Sequence, residues 1–187
     1  MGAVGLSVKD RGAAVATFRA INVTLMEMLA AWVPTTPEME VKLLFGAHIW
    51  DVAQHADMLG KRTFELRLAL QHSQRPVEPY AAFLTDMAAA RETERRIAVF
   101  YDVMLPALGA RYQSYLDATD HLIDAPTVRI LDRLLADHTR MLSETQALYR
   151  ELPNLKLDDA VWLRTWAERE RRIDTPIAGV PAAVAAG

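Results

Sequence analysis

The chain has no cysteine in its 187 residues. Thiolate metal sites, thiol nucleophiles and disulfides are therefore excluded, and a reducing compartment is permitted. Glycine is scarce, at eight residues, and there is no Gly-rich phosphate loop, no G-x-S-x-G elbow and no H-E-x-x-H pair. No uninterrupted run of about 18 apolar residues occurs, so no membrane span is expected. "MGAVGLSVKDRG" is too short and too polar for a secretory apolar region, and Leu6 stands where myristoylation needs Ser or Thr. Charge of one sign is also lacking. A net charge of -3 and a pI near 6.0 argue against nucleic acid or an anionic membrane as the main partner. Arg greatly outnumbers Lys, a hint of a GC-rich bacterial genome, and a cytoplasmic location is the expectation.

What is present is helical pattern. Hydrophobic residues make up 51%, enough for one folded domain with a sizeable core. Apolar residues recur every three to four positions and strand signals are nearly absent. Ser7 and Asp10 have capping-box spacing, opening a helix that runs to Trp32. Thr36 and Pro37 suit the start of a second helix, reaching about Gln71. "SQRPVEP" is a loop. A third helical stretch spans about Tyr80 to Thr119, kinked or broken at Pro106. Asp124 caps a fourth, to about Leu152, and a last helix covers about Asp158 to Ile173. Four long helices with short connections predict an all-α antiparallel four-helix bundle with an additional C-terminal helix. Residues 1–173 read as a single domain and 174–187 as a flexible tail.

At about 100° per residue, three histidines fall on inward stripes. His48, Asp51 and His55 share the stripe of Leu44, Val52 and Leu59, and His138 lies with Leu134 and Met141. Asn22 lies within the stripe of the first helix and Glu94 flanks that of the third, while Asp137 sits to the side of the fourth. Arg62 and Arg111, if inward, suit a carboxylate or phosphate ligand. Buried polar groups need partners, so this set calls for an explanation. One explanation is a metal site, since imidazole with carboxylate suits Fe, Mn, Zn or Co. His48 and His55 lie about 10 Å apart along the helix and cannot share one small ion. An ion would take Asp51, His55, Glu94 and His138. A second explanation is metal-free acid–base work by His48, Asp51, His55 and His138. A third is a hydrogen-bonded network that fixes helix register.

The stretches "EVKLLFGAHIWDVAQHADMLGKRTFELR" and "DAPTVRILDRLLADHTRML" resemble a bacterial ferritin-like group. Its members carry HxW–(D/E)–xxx–HA–xx–L–xx–R and a later D-x-PT-x-R-x-L. The resemblance covers about residues 6–150 and implies the ferritin-like bundle of carboxylate-bridged metal proteins. That superfamily places a Glu on the first helix, Glu-x-x-His on the second, and a second such pair of elements after it. Carried over here, Asn22 stands at the first Glu, and Asp51 with His55 replaces the second element. Glu94 stands for the third-helix Glu, and His138 follows Leu135 rather than a Glu. The similarity thus implies one divalent metal (Fe or Mn), or a site that has lost its metal, rather than a di-iron centre. The inward histidines are also similar, more distantly, to the His triad of DinB-like bundles. The leading expectation is a small-molecule enzyme with a polar His/Asp pocket, a metal-dependent oxidoreductase if the ion is held. The alternative is a metal-free ferritin-like protein that binds a ligand or protein partner. A homodimer through an exposed helix face is compatible with either.

Overall fold

The computed structural model describes residues 6–179. Among them the protein is all-α, with six helices and no strand. Helix α1 is Val8–Trp32 and α2 is Met39–Glu65. Helix α3 is Glu78–Ala88. Helix α4 is one rod in three parts: α-helical Thr93–Ile97, π-helical Ala98–Met104 and α-helical Leu105–Ala118. Helix α5 is Ala125–Glu151 and α6 is Ala160–Arg171.

The first cap forms as the spacing predicts. The Ser7 hydroxyl accepts from the Asp10 N–H, and the Asp10 carboxylate accepts from the Ser7 N–H. Two later boundaries differ from the sequence reading. Thr36, extended ahead of Pro37 as that position requires, donates its hydroxyl to the Trp32 carbonyl. It therefore closes α1, and α2 begins at Met39 behind Glu38. At the other end α2 stops at Glu65 instead of Gln71, because the chain folds back on itself. Gln71 N–H donates to the Gly60 carbonyl, and the Gln71 side chain lies where a Gly60 Cβ would be, with Oε1 1.9 Å from that position. Gly60 is there for this close approach.

The third stretch is two helices, not one kinked at Pro106. The break falls at residues 89–92, where donors from elsewhere replace helical N–H groups. Trp32 Nε1 donates to the Ala88 carbonyl and Arg96 Nε to that of Ala90. Pro106 acts differently. Its missing N–H and bulky ring strain a normal α-turn against the carbonyl four residues back. The rod answers with the wider π-turn just before it, in which Leu105 N–H donates to the Phe100 carbonyl.

Helix α1 is long and apolar enough to cross a membrane by length and composition, with a mean hydropathy of 1.3 in its most apolar window. The fold uses that apolarity as core. Phe18, Ile21, Leu25 and Leu29 are buried in one core with Phe45 and Leu59 of α2 and Phe100, Tyr101, Met104 and Leu108 of α4. Contacts between neighbouring long helices run in opposite chain directions: Phe18 with Tyr115, Asn22 with Tyr112 and Trp32 with Arg96 join α1 to α4. Helix α6 is the additional helix. It seats the Trp162–Trp166 pair (centroids 5.4 Å apart) over Phe83 and under Arg95. The beginning of the tail is hydrogen-bonded to the body. The Pro176 carbonyl accepts from Val77 N–H, and Ile177 is buried. The rest of the tail, from residue 180, lies outside the described residues.

Candidate functional site

Helices α2 and α5 face each other through a ladder of histidines, carboxylates and arginines. His48 is fully buried. Its Nδ1 lies 2.7 Å from Tyr101 Oη and its Nε2 2.7 Å from Glu144 Oε2. The tyrosine must donate to Nδ1, so Nε2 carries the proton and donates to the carboxylate. Burial lowers the His48 pKa, and Glu144 offsets this only in part. One heptad on, His55 repeats the arrangement: its Nε2 donates to Asp137 Oδ2 at 3.2 Å. Its pKa is likewise lowered by burial, and its Nδ1 is buried without a partner.

Arg140 is the hub. It bonds Asp51 at 2.9 Å and Glu144 at 3.0 Å, and lies 3.5 Å from Asp137. Arg133 holds Asp137 from the other side at 2.9 Å. Burial alone would raise the Asp137 pKa, but the hydrogen bonds from Arg133 and His55 hold it below its ordinary value. Glu144 is lowered in the same way by His48 and Arg140. The Arg140 guanidinium is itself raised by these carboxylates. Three carboxylates are thus shared between two arginines and two neutral imidazoles.

His138 stands apart from the ladder. Its ring centre is 5.9 Å from that of His55 and 5.6 Å from that of Tyr112. Burial, with a smaller push from His55, lowers its pKa to about 3. Its Nδ1 is also buried without a partner. Gly109 of α4 lies beside it, where a Cβ would sit 3.8 Å from that nitrogen.

Of the residues expected at the site, His48, Asp51 and His55 join one network, and His138 adjoins it through His55. Glu94 does not. It occupies the first turn of α4 beside Thr93, which bonds Glu38. Fifteen residues separate it from Gly109, or about 20 Å along the rod. Asn22, at the place of the first expected Glu, donates to Tyr112 Oη at 2.7 Å and to the Phe18 carbonyl, tying α1 to α4. Among the described residues no three His, Asp or Glu side chains are grouped to hold an ion. The set read from sequence therefore does not fit a shared metal: its carboxylate is bound to arginine and its glutamate is at the far end of α4.

Residues missed by the sequence reading are Arg140, Glu144 and Arg133, with Asp137 set aside as sideways. A signal was available. Asp137 and Glu144 are seven apart, as are His48 and His55, and two antiparallel helices can bring such pairs face to face. The arginines of interest are also spent internally. Arg62 of the first family-like stretch bonds Asp124 and Thr127 of the second, at 2.9 and 2.8 Å. Asp124, wholly buried, further accepts from Tyr115, Thr119 and Thr127. These bonds overcome its desolvation and lower its pKa. Arg111 binds Glu170 and the carbonyls of Ile173 and Asp174, closing the end of α6. A cavity of about 30 Å³ lies elsewhere, between Phe18, Tyr115 and Ile177. That is space for about two waters. Compared with known proteins, the chain matches no family model, no curated protein and no solved structure.

Proposed function

We propose that this chain is an antiparallel four-helix bundle of the ferritin-like kind, formed by α1, α2, α4 and α5. In it an arginine has taken the place of a metal ion, and the protein works by binding a partner rather than by redox chemistry at iron or manganese. The opposite chain directions of the α1–α4 contacts support the bundle, as do those of the α2–α5 ladder. The observation that carries the metal-free reading is Arg140, whose guanidinium lies among Asp51, Asp137 and Glu144. A fixed positive charge already neutralises the carboxylates that would attract a cation. A divalent ion placed among them, about 4 Å from that guanidinium, would meet several kcal/mol of repulsion. The ring nitrogens that face the carboxylates do not compensate, since both ladder imidazoles direct a proton, not a lone pair, at them. The ladder, buried at its histidines and open to solvent at its arginines, then serves to fix the register of α2 on α5, as interior polar residues do in some helical assemblies.

Metal content of untagged protein, grown with Fe, Mn, Zn and Co supplied, tests this reading. Well-folded protein with far less than one equivalent of any of them is the expected result. One equivalent that is lost on substitution of His55 and His138 by Ala would overturn it. A second reading is metal-free acid–base chemistry on an organic small molecule. It is favoured by the continuous chain Tyr101–His48–Glu144, which connects the core to a half-exposed carboxylate. Under it, His48→Gln abolishes turnover of any substrate found by screening while the fold stays intact. Retained turnover would remove it.

A further inference from the structure

The outer face of α2 breaks the pattern of the other long helices. Over its first three turns it exposes Met39, Leu43 and Trp50, each more than 60% accessible, with Gly46 and Ala47 exposed between them. Gly46 has no use within the monomer. A Cβ there would meet nothing within 4 Å, yet glycine inside a helix costs roughly 0.5–1 kcal/mol relative to alanine. Glycine at an exposed helical position is explained where another backbone comes close.

From these features we infer that this face is the contact of a homodimer, with α2 packed antiparallel on α2 of a second copy and crossing at Gly46. The spacing is self-complementary. Leu43 and Trp50 are equidistant from the midpoint between Gly46 and Ala47. A two-fold axis there sets each Leu43 against the partner's Trp50, as a closed isologous contact requires. The small pair at the centre lets the helices approach while the large side chains interlock on either side. Area argues the same way. The exposed parts of Met39, Leu43 and Trp50 amount to roughly 350–400 Å² of apolar surface per copy. Homodimer interfaces are about 65% apolar, so two copies with a polar rim at Glu40 and Gln54 would bury about 1,100–1,200 Å². That clears the roughly 1,000 Å² expected of a specific interface.

Sedimentation equilibrium of the full chain between 1 and 100 μM tests the inference. The expected mass is twice 20.9 kDa. Gly46→Leu, which the monomer has open space to accept, and Trp50→Glu should each weaken dimerisation roughly a hundredfold or more, with helicity unchanged. Phe64→Glu, equally exposed on α2 but outside the contact, should leave the dimer intact. A wild-type chain that stays monomeric at 100 μM overturns the inference. So does a dimer that survives both Gly46→Leu and Trp50→Glu, or one that Phe64→Glu disrupts as strongly as they do.

Discussion

Acid should unfold this protein through its histidines before its carboxylates, and His138 allows the size of the effect to be worked out. Its pKa is about 3 in the folded chain against an ordinary 6.5. As pH falls below 6.5 the unfolded chain takes up a proton that the folded chain refuses, so stability falls with pH until the folded group titrates near 3. Between pH 7.5 and 4.5 a shift of this size removes about 3 kcal/mol. His48 and His55, also lowered by burial, add losses of the same sign. Asp124, Asp137 and Glu144 are lowered carboxylates. Their stabilisation is fully present well above their unfolded values and is lost mainly below pH 4.5; Glu144, ordinarily 4.5, begins to lose its share at the lower edge of the window, equally in wild type and variant. Asp102, raised by burial, opposes the slope slightly, but equally in wild type and variant. Urea unfolding at pH 7.5, 6.5, 5.5 and 4.5 is the assay, on wild type and His138→Gln. The variant should lose about 3 kcal/mol less than wild type across the window. Equal losses, within about 0.5 kcal/mol, would refute the claim that His138 is held neutral by burial.

Other substitutions separate buried from exposed polar contacts. Asp124→Asn strips the counter-charge from Arg62 in the core and should cost about 3–5 kcal/mol in denaturant unfolding. Arg133→Gln, which removes an exposed partner of Asp137, should cost less than about 1 kcal/mol in the same assay. Tyr101→Phe leaves His48 Nδ1 without a donor and should destabilise by about 1–3 kcal/mol, with a changed His48 tautomer pattern in nitrogen NMR shifts. The two glycines of α2 should respond in opposite directions at low protein concentration. Gly46→Ala should stabilise by about 0.5–1 kcal/mol. Gly60→Ala should destabilise, because its Cβ displaces Gln71 from its bonds to Arg19 and Asp57.

Local signals in the sequence were enough for the helices whose ends are closed locally. Ser7 with Asp10 is one such end, and Asp159, which accepts from Trp162 N–H, is the physical counterpart at α6. The break between α3 and α4 was not legible, because alanines favour helix and one of the groups that end it, Trp32, comes from far along the chain. The π-turn was half legible: Pro106 announced a disturbance, but not that it would be absorbed one turn earlier. At the site, periodicity placed His48, His55 and His138 inward, and all three are buried. Arg140 escaped notice because it belongs to the polar flank of α5. Its role appears only when α2 and α5 are aligned in register and their side chains meet across the groove. Glu94 was misplaced for the same reason in reverse: its helical phase was suitable, but its height along the rod was not available from one helix alone.

On the proposed reading, Arg140 stands where a cation would among Asp51, Asp137 and Glu144. Titration of Mn²⁺ into the purified chain, followed by loss of the free-ion electron paramagnetic resonance signal, tests it most directly. Wild type should show no saturable binding at millimolar Mn²⁺, and Arg140→Gln, which leaves Asp51 and Glu144 without their arginine, should show a measurable gain. Stoichiometric, micromolar binding by wild type that Arg140→Gln does not improve would contradict it.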